Sequence, residues 1–195
     1  KYNMLILIDN GHGKDTAGKM SPDKSLKEYA YAREIATRLE KALKTKGIDC
    51  VKITPEENDI SLQERCRRAN KYGSKDVILI SIHCNAAGSD GKWHDARGWE
   101  AWTSIGNTKA DYLATCLYEA AGECGFKLRK DESDGDPDKE GHLYILKHTV
   151  CPAVLTENLF QDNKTDVAFL LSEEGKQTIV DLHVNGITKY IKSKQ

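Results

Sequence analysis

The sequence predicts a single α/β domain with a mainly parallel central sheet between flanking helices. Three short, almost wholly apolar runs, Met4–Asp9, Ile48–Ile53 and Val77–His83, are typical of strands that are buried on both faces of a sheet. Segments with the apolar spacing of a helix separate these runs, and such alternation is typical of parallel sheets. Because the sequence shows neither an internal repeat nor a linker, we expect residues 1–195 to form one domain with one core.

The helices are predicted from apolar periodicity and from the residues at their ends. The segment Lys24–Lys46 carries an apolar stripe at helical spacing that stops at a glycine, as helices often do. Ser61 followed by Glu64 is a capping-box signature and predicts a helix that runs to about Tyr72. The segment 126–140, rich in Asp, Lys and Gly, is interpreted as a solvated loop. Two further helices are predicted over 107–124 and 172–191, and three further strands over 97–103, 142–147 and 152–160.

The composition argues against several classes of protein. The 29 basic and 30 acidic residues leave a net charge of −1, whereas nucleic-acid-binding proteins usually carry a marked basic excess. No apolar run approaches the ~20 residues that a membrane-spanning helix needs. The six cysteines include no C-x-x-C pair, so we expect mostly free, partly buried thiols rather than a zinc ribbon or a redox motif. We therefore expect a monomeric globular protein that neither binds nucleic acid nor spans a membrane.

Chemically useful side chains follow three of the predicted strands. His12 lies between two glycines after the first strand, His83 ends the third strand, and Glu157 ends the run "AVLTE". Parallel strands place their carboxyl ends at one edge of the sheet, so we expect these three residues to meet there. We also expect the two glycines to let the turn bend tightly and aim the imidazole of His12 over this edge. Glu28 begins the apolar stripe of the first helix and should point inward, where a buried carboxylate needs a partner such as a metal cation.

These four residues fit the chemistry of a zinc hydrolase. Two histidines and one carboxylate form a standard catalytic zinc set that leaves a fourth position for water. Zinc lowers the pKa of that water to about 7, and a carboxylate outside the metal sphere can take its proton and pass it to a leaving amine. His12, Glu28 and His83 are therefore the candidate ligands of one Zn²⁺, and Glu157 is the candidate general base.

Each of the four residues also has an interpretation without chemistry. His12 fits an ordinary turn, and His83 fits a hydrogen-bonded histidine of the core. Glu28 fits the start of its own helix, where negative charge is favourable, and Glu157 fits an ion pair with a nearby lysine. The convergence of all four at one sheet edge favours a shared site over four separate coincidences.

Other residues are expected to support this site. Asp9 or Asn10 is expected to accept the second ring N–H of His12 and so fix its tautomer. Among the remaining histidines, His142 begins the predicted strand 142–147 and is the best candidate for contact with a ligand histidine or with substrate.

Five stretches, in order and over nearly the whole chain, resemble the zinc-dependent N-acetylmuramoyl-L-alanine amidases of bacteria and their phages, the family called amidase type 3. The stretch "LIDNGHGK" resembles the strand-turn motif of that family, which usually contains Asp-Pro-Gly-His-Gly. The stretch "VILISIHCNAA" resembles its Ser-Ile-His-x-Asn-Ala motif. The other three resemble its glutamate-bearing helix and following strand (26–54), its leucine, arginine and Ala-Asn positions ("SLQERCRRAN") and its final strand pair ("HLYILKHTVCPAVLTENLFQDN").

The resemblance implies both a fold and an activity. It implies a sheet of about six strands, one Zn²⁺ held by His12, Glu28 and His83, and Glu157 as the general base. The implied reaction is hydrolysis of the amide between the lactyl group of N-acetylmuramic acid and the first L-alanine of the stem peptide. Peptidoglycan is then the expected partner, and the expected location is extracellular, periplasmic or in the cell wall, after export or release at lysis.

The family pattern also indicates a second substrate-contact candidate and two departures. Asn85, in the Ser-Ile-His-x-Asn-Ala motif, joins His142 as a candidate for contact with substrate. Asn10 replaces the usual proline and is expected to loosen the turn, and Leu159 lies close to a position where many members have glycine. The alternatives are a zinc hydrolase of another peptide or amide and a non-catalytic wall-binding module, and zinc content near one equivalent would argue against the latter.

Overall fold

The computed structural model describes residues 3–195, which form one α/β domain of six strands and six helices. The strands, numbered β1 to β6 in chain order, are Leu5–Asn10, Asp49–Lys52, Val77–Asn85, Trp99–Thr103, Lys139–Glu140 and Ala153–Phe160. The helices, numbered α1 to α6, are Glu28–Thr45, Leu62–Asn70, Lys109–Glu123, Tyr144–His148, Lys164–Leu171 and Glu173–Lys192. None of these helices combines the length and the apolar character needed to cross a membrane.

All six strands of the described chain form a single sheet in the order β2-β1-β3-β6-β4-β5. Strands β1, β2, β3 and β6 run parallel, β4 is antiparallel to β6, and β5 runs parallel to β4. The predicted α/β class and the mainly parallel six-stranded sheet are therefore confirmed. Because β1, β3 and β6 are neighbours that run in one direction, their carboxyl ends meet at one edge of the sheet.

Both faces of the sheet are covered, which explains why its central strands are apolar throughout. Ile6 and Ile8 of β1 belong to the larger core, which also contains the buried sides of α1, α3 and α6. Leu7, whose side chain points to the opposite face, belongs to a smaller core with Cys66 of α2 and Ile145 of α4. A strand buried on both faces shows no alternation of apolar and polar residues, so its sequence reads as a continuous apolar run. The six cysteines are free thiols, and five of them are buried.

The helix starts follow local hydrogen bonding. Ser61 caps α2, because its hydroxyl accepts a hydrogen bond from the Glu64 N–H at 3.2 Å, as the sequence predicts. Helix α1 begins at Glu28 rather than at Lys24. The preceding residues form a closed loop in which the Leu26 N–H donates to the Ser21 hydroxyl at 2.9 Å and the Ser21 N–H donates back to the Leu26 carbonyl. These backbone groups are therefore not available to a first helical turn.

Three local expectations differ from the structure. The predicted strand over 142–147 is wrong, because Tyr144–His148 forms helix α4, which packs against the smaller core through the adjacent Ile145 and Leu146. The two-residue strand β5 takes the place of that predicted strand in the six-stranded sheet. It lies inside the segment that we interpreted as a solvated loop. Helix α5, Lys164–Leu171, was not predicted, although Asn163 caps it by accepting a hydrogen bond from the Asp166 N–H. Short apolar runs are ambiguous between strand and helix until their packing partner is known.

Candidate metal centre

His12 lies in a tight turn directly after β1, and the two glycines beside it are needed for close packing. A Cβ atom on Gly11 would come within 2.5 Å of the His83 ring, and one on Gly13 would come within 1.9 Å of the Asp59 backbone nitrogen. His12 itself, rather than either glycine, adopts the left-handed conformation, with φ of 58°. The glycines therefore bring the turn against its neighbours, and a strained backbone at His12 directs the imidazole over the sheet edge.

A buried arginine from α2 holds this turn in place. The Arg65 side chain is only 3% exposed and pairs with the Asp9 carboxylate at 2.8 Å. It also donates to the Asn10 and His12 carbonyls, and Arg33 of α1 donates to the His12 carbonyl at 3.0 Å. Sequence reasoning noted an arginine position in "SLQERCRRAN" without assigning this role. A buried cation can satisfy several carbonyls at once only after β1 and α2 have come together.

The turn is also anchored by Asn10. Its backbone N–H donates to the Thr54 hydroxyl at 3.1 Å, and its side-chain amide donates to the Thr54 carbonyl at 2.6 Å. These two hydrogen bonds connect the end of β1 to the residues that follow β2. The expectation that the turn is looser than with proline stays a prediction.

Glu28 and His83 complete a cluster with His12. Glu28, the first residue of α1, is 1% exposed, and its carboxylate lies 3.1 Å from His83 Nδ1 and 3.4 Å from His12 Nε2. One possible ligand atom from each residue lies within 4.8 Å of the other two, which makes this group the candidate metal site of the described residues. Burial opposes the charge on Glu28, but the hydrogen bonds from His12 and His83 outweigh it and hold the pKa of this carboxyl below its usual range.

Hydrogen bonds from β1 and β3 orient His83. The Ser81 hydroxyl lies 3.0 Å from His83 Nε2 and 2.6 Å from Asp9 Oδ2. The hydroxyl donates to the Asp9 carboxylate and lies where it can accept Nε2–H. Nδ1 faces Glu28 and the centre of the cluster, and it is the atom that would bind a metal. The expected contact of Asp9 or Asn10 with the His12 ring is therefore wrong, since Asp9 supports the other histidine through Ser81.

Glu157 lies beside His83 in the sheet, because the two residues are register partners on the parallel strands β6 and β3. Its side chain is partly exposed, yet its Oε2 atom is buried and has no hydrogen-bond partner among the described residues. Burial raises the pKa of Glu157 well above its usual value, and the charges of Glu28 and Glu100 raise it further. Glu157 is thus a sheet neighbour of one member of the cluster, His83, and has one oxygen uncommitted.

A β-bulge follows Glu157. Between the register pairs at His83 and Asn85 of β3, strand β6 carries one residue more than β3. Leu159 lies in this bulge with φ of 66°, a conformation that glycine adopts most easily. Its side chain is 3% exposed and belongs to the larger core, so burial of an apolar side chain offsets the backbone strain. Glycine would therefore adopt the backbone conformation of this position with less strain than leucine.

The substrate-contact candidates lie in different surroundings. Asn85 ends β3 at the same sheet edge, where its carbonyl accepts a hydrogen bond from the Gln161 N–H at 2.8 Å. His142 is exposed on the connection between β5 and α4 and does not belong to the metal cluster. Sequence reasoning missed Gln161, which is 3% exposed and donates through Nε2 to Glu28 Oε2 at 3.4 Å. No sequence pattern indicated it, because this contact joins residues 133 positions apart.

Two grooves with no lining residue in common lie at this edge of the sheet. The first, which we call the lysine-lined groove, has a volume of about 510 Å³ and lies between residues 17–24 and 86–92, over Gln161 and Asp162. The second, which we call the apolar groove, has a volume of about 300 Å³ and includes His12 and His83 themselves. The two grooves therefore offer a substrate at the cluster two surfaces of different chemistry.

The chain shares sequence with known amidases over almost its full length. A family model described as N-acetylmuramoyl-L-alanine amidase matches residues 6–189. The endolysin of Bacillus phage SPP1 is 28% identical over 195 residues, covering 98% of this chain and 67% of the relative. The sporulation-specific N-acetylmuramoyl-L-alanine amidase of Bacillus subtilis is 26% identical over 194 residues, covering 97% of this chain and 69% of the relative.

The fold is likewise similar to that of solved amidases. The crystal structure of an N-acetylmuramoyl-L-alanine amidase from Clostridium difficile 630 matches with a TM-score of 0.85 and 24% sequence identity, covering 100% of both chains. At this identity the likeness shows the fold, while the family match rests on the sequence. The sheet, the cluster at its carboxyl edge and the family match together identify the chain as a member of the N-acetylmuramoyl-L-alanine amidase family, the hydrolases of peptidoglycan.

Proposed function

We propose that this peptidoglycan amidase works with one Zn²⁺ held by His12, Glu28 and His83, and with Glu157 as the general base. The observation that carries the proposal is the close approach of the three possible ligand atoms, which lie within 4.8 Å of one another. Two imidazoles and one carboxylate are a donor set that catalytic zinc sites use. The low pKa of Glu28 supports an ionised ligand at neutral pH.

The residues of the site divide the reaction between them. When bound, zinc supplies a Lewis acid that polarises a carbonyl and makes water acidic. Glu157 accepts a proton from the attacking water through its uncommitted Oε2 atom and returns it to the nitrogen of the leaving L-alanine. Asp9 and Ser81 hold the His83 ring in one orientation throughout. Arg65 and the two glycines keep His12 at the sheet edge.

The bond that breaks joins the lactyl carbonyl carbon of N-acetylmuramic acid to the nitrogen of L-alanine. The products are a glycan with a free lactyl carboxylate and a stem peptide with a free L-alanine amine. We propose that residues 1–195 act as one monomeric catalytic domain. We place its action at the cell wall, in the periplasm or outside the cell, after export or release at lysis.

The bond that is cut can be tested by mass spectrometry of the products released from purified peptidoglycan. We expect wild-type protein to release stem peptides with an L-alanine amino terminus, and to lose this activity after chelation and regain it with added zinc. Release of free peptides cut elsewhere would instead indicate a hydrolase of another amide. No release by folded, zinc-loaded protein would overturn the proposal and favour a wall-binding role.

The metal ligands can be tested with two glutamates on one helix. Glu28→Gln removes a proposed ligand, whereas Glu34→Gln removes a partly exposed carboxylate that pairs with Arg38 and Lys176 on the far side of α1. We expect the first variant to lose most of its bound zinc and its activity while keeping its fold. The second should retain about one equivalent of zinc. Equal zinc content in the two variants would contradict the assignment of Glu28.

A further inference from the structure

The lysine-lined groove contains three lysines that form no ion pair among the described residues. Lys19, Lys24 and Lys92 line it, and all three side chains are exposed. Each of the ion pairs seen among residues 3–195 involves other cations, such as Lys14 with Glu57 and Arg38 with Glu34. The chain as a whole has a net charge of −1, so this concentration of cations is local.

The acidic residues near the groove are already engaged. Asp162 accepts hydrogen bonds from the Ala87 N–H at 2.8 Å and from the Gly88 N–H at 3.0 Å, and so holds residues 86–88 in place. Asp90 pairs with His94 at 2.8 Å. Asp23 accepts hydrogen bonds from the Ser21 and Ser25 hydroxyls at 2.7 Å each. None of these three aspartates forms an ion pair with Lys19, Lys24 or Lys92 among the described residues, so the three ammonium groups remain available to an anionic occupant.

Gln161 connects this groove to the metal cluster. Its Nε2 atom donates to Glu28, while its Oε1 atom is buried and has no hydrogen-bond partner among the described residues. Lys19 also contacts Glu28, because its backbone carbonyl accepts a hydrogen bond from the Glu28 N–H at 3.0 Å. A buried carbonyl oxygen without a donor costs free energy, and an N–H group of a bound molecule would satisfy it. The floor of the groove therefore offers one acceptor close to the reacting bond.

The apolar groove has more apolar lining residues and no lysine. It is lined by Ile60, Leu62, Leu143 and Leu155 and by the aromatic ring of Tyr144. Its charged residues pair with one another, because Arg65 contacts both Asp9 and Asp59 at 2.8 Å. A surface of this kind suits a sugar ring with an N-acetyl group, which is uncharged and has apolar faces.

The two parts of the substrate differ in the same way as the two grooves. On one side of the scissile amide lies the stem peptide, which carries free carboxylates and backbone N–H groups. On the other side lies the uncharged muramoyl residue of the glycan. We propose that the lysine-lined groove binds the stem peptide, with Lys24 and Lys92 attracting its carboxylates and Gln161 Oε1 accepting a peptide N–H. The apolar groove then receives the muramoyl side. This inference rests on the function proposed above.

The assignment predicts a preference between two substrates that differ by one charge. GlcNAc-MurNAc-L-Ala-D-isoglutamate carries a free α-carboxylate, and its isoglutamine counterpart carries an amide. We expect wild-type zinc enzyme to show a roughly three- to ten-fold higher kcat/KM for the carboxylate, mostly through KM, because two exposed ion pairs each add little. The preference should fall as salt is added. Lys24→Gln with Lys92→Gln should abolish it, whereas Lys41→Gln, the same change on the exposed side of α1, should leave it intact.

A binding measurement separates this inference from the proposed activity. Calorimetry with the product dipeptide L-Ala-γ-D-Glu should detect binding to wild-type holoenzyme, several-fold weaker binding to the double lysine variant, and wild-type binding to Lys41→Gln. Hydrolysis of both substrates at equal rates, with equal dipeptide binding by all variants, would overturn the groove assignment and leave the amidase intact. Lysine-dependent dipeptide binding without hydrolysis of either substrate would support the groove and overturn the proposed reaction.

Discussion

Glu100 and Glu157 lie directly opposite each other on the neighbouring strands β4 and β6, yet their surroundings differ. Glu100 accepts hydrogen bonds from Arg129 Nε at 2.9 Å, Lys139 Nζ at 3.1 Å and Trp102 Nε1 at 2.9 Å. Burial opposes its charge, but these donors outweigh burial and lower the pKa of Glu100. Glu157, one strand closer to the cluster, has an uncommitted oxygen and a raised pKa.

The difference shows how one residue type serves two purposes in the same row of a sheet. The Glu100 carboxylate, on the side of β4 and β5, is surrounded by donors, and its charge stabilises the edge of the sheet. The Glu157 carboxylate, on the side of β3, lacks such donors and stays free to exchange a proton. An uncommitted buried carboxylate costs stability, so its presence at a site with candidate ligands favours a catalytic role.

The largest expected effect concerns turnover. Glu157→Gln keeps the shape of the side chain but removes its ability to accept a proton, so we expect kcat to fall by about 10²- to 10⁴-fold. Zinc content should stay near that of wild type, and thermal stability should be equal or higher, since a carboxylate whose ionised form is disfavoured by burial is replaced with a neutral amide. Glu100→Gln is the matched control on the adjacent strand and should retain most of the activity. Similar losses in the two variants would remove the distinction between the two glutamates.

Another carboxylate, that of Asp138, tests whether a buried oxygen without a hydrogen-bond partner is enough by itself to indicate a catalytic residue. Asp138, before β5, is 1% exposed; it accepts a hydrogen bond from Thr103, and its Oδ1 atom has no partner among the described residues. Burial, together with the neighbouring Asp136, raises its pKa to about 8. The unfolded chain has the ordinary aspartate pKa of about 3.9, so the folded protein binds the extra proton between these values. The associated stability is fully present below about pH 4 and is lost as the pH rises through 8.

Asp138→Asn replaces the titrating carboxyl group with an amide that stays neutral at every pH. We expect it to stabilise the protein by about 2 kcal/mol at pH 9 and to change little at pH 4, with no effect on activity. Thermal melting across this pH range measures the difference. Asp134→Asn, an exposed residue of the same loop, should leave the pH dependence unchanged. A Tm gain for Asp138→Asn that is the same at all pH values would show that Asp138 does not titrate as described.

The smallest effect concerns the stability contributed by Glu100. Its neutral replacement in Glu100→Gln leaves Arg129 and Lys139 without a counter-charge. Both cations are partly exposed, so water replaces part of the lost interaction. We expect a loss of about 1 kcal/mol, or roughly 2–4 °C in Tm. Thermal melting measures this loss. The control is Glu174→Gln, which changes an exposed glutamate of α6 and should have the Tm of wild type. Stability equal to wild type would show that the donors do not depend on the charge of Glu100.

Much of the architecture and of the candidate site could be predicted from sequence because it depends on local patterns. The apolar runs of β1, β3 and β6 mark strands buried on both faces, and parallel strands necessarily end at one edge. This placed His12, His83 and Glu157 together before any contact was known. Glu28 followed from helical spacing, since it begins the stripe that faces the sheet. The structure brings His12, Glu28 and His83 within ligand distance of one another, as expected.

Some features could not be predicted because they depend on packing partners far apart in the chain. Residues 142–147 pack against α2 and the smaller core as a helix, and the two-residue β5 takes the sheet edge that they were expected to occupy. Asp9 supports His83 rather than His12 because β1 and β3 are hydrogen-bonded neighbours, which brings Ser81 between them.

The amino-acid sequence by itself determined the fold class, the edge at which the chemistry collects and the family, because periodicity and short motifs are local properties. Only the tertiary structure decided which buried charges have partners. Arg65 meets the turn at His12, Gln161 meets Glu28, and Glu100 meets Arg129, while one oxygen of Glu157 remains free. Each of these outcomes depends on which strands and helices become neighbours. A polar side chain loses its water wherever the fold buries it, and only the surrounding elements can supply the hydrogen bonds that replace it.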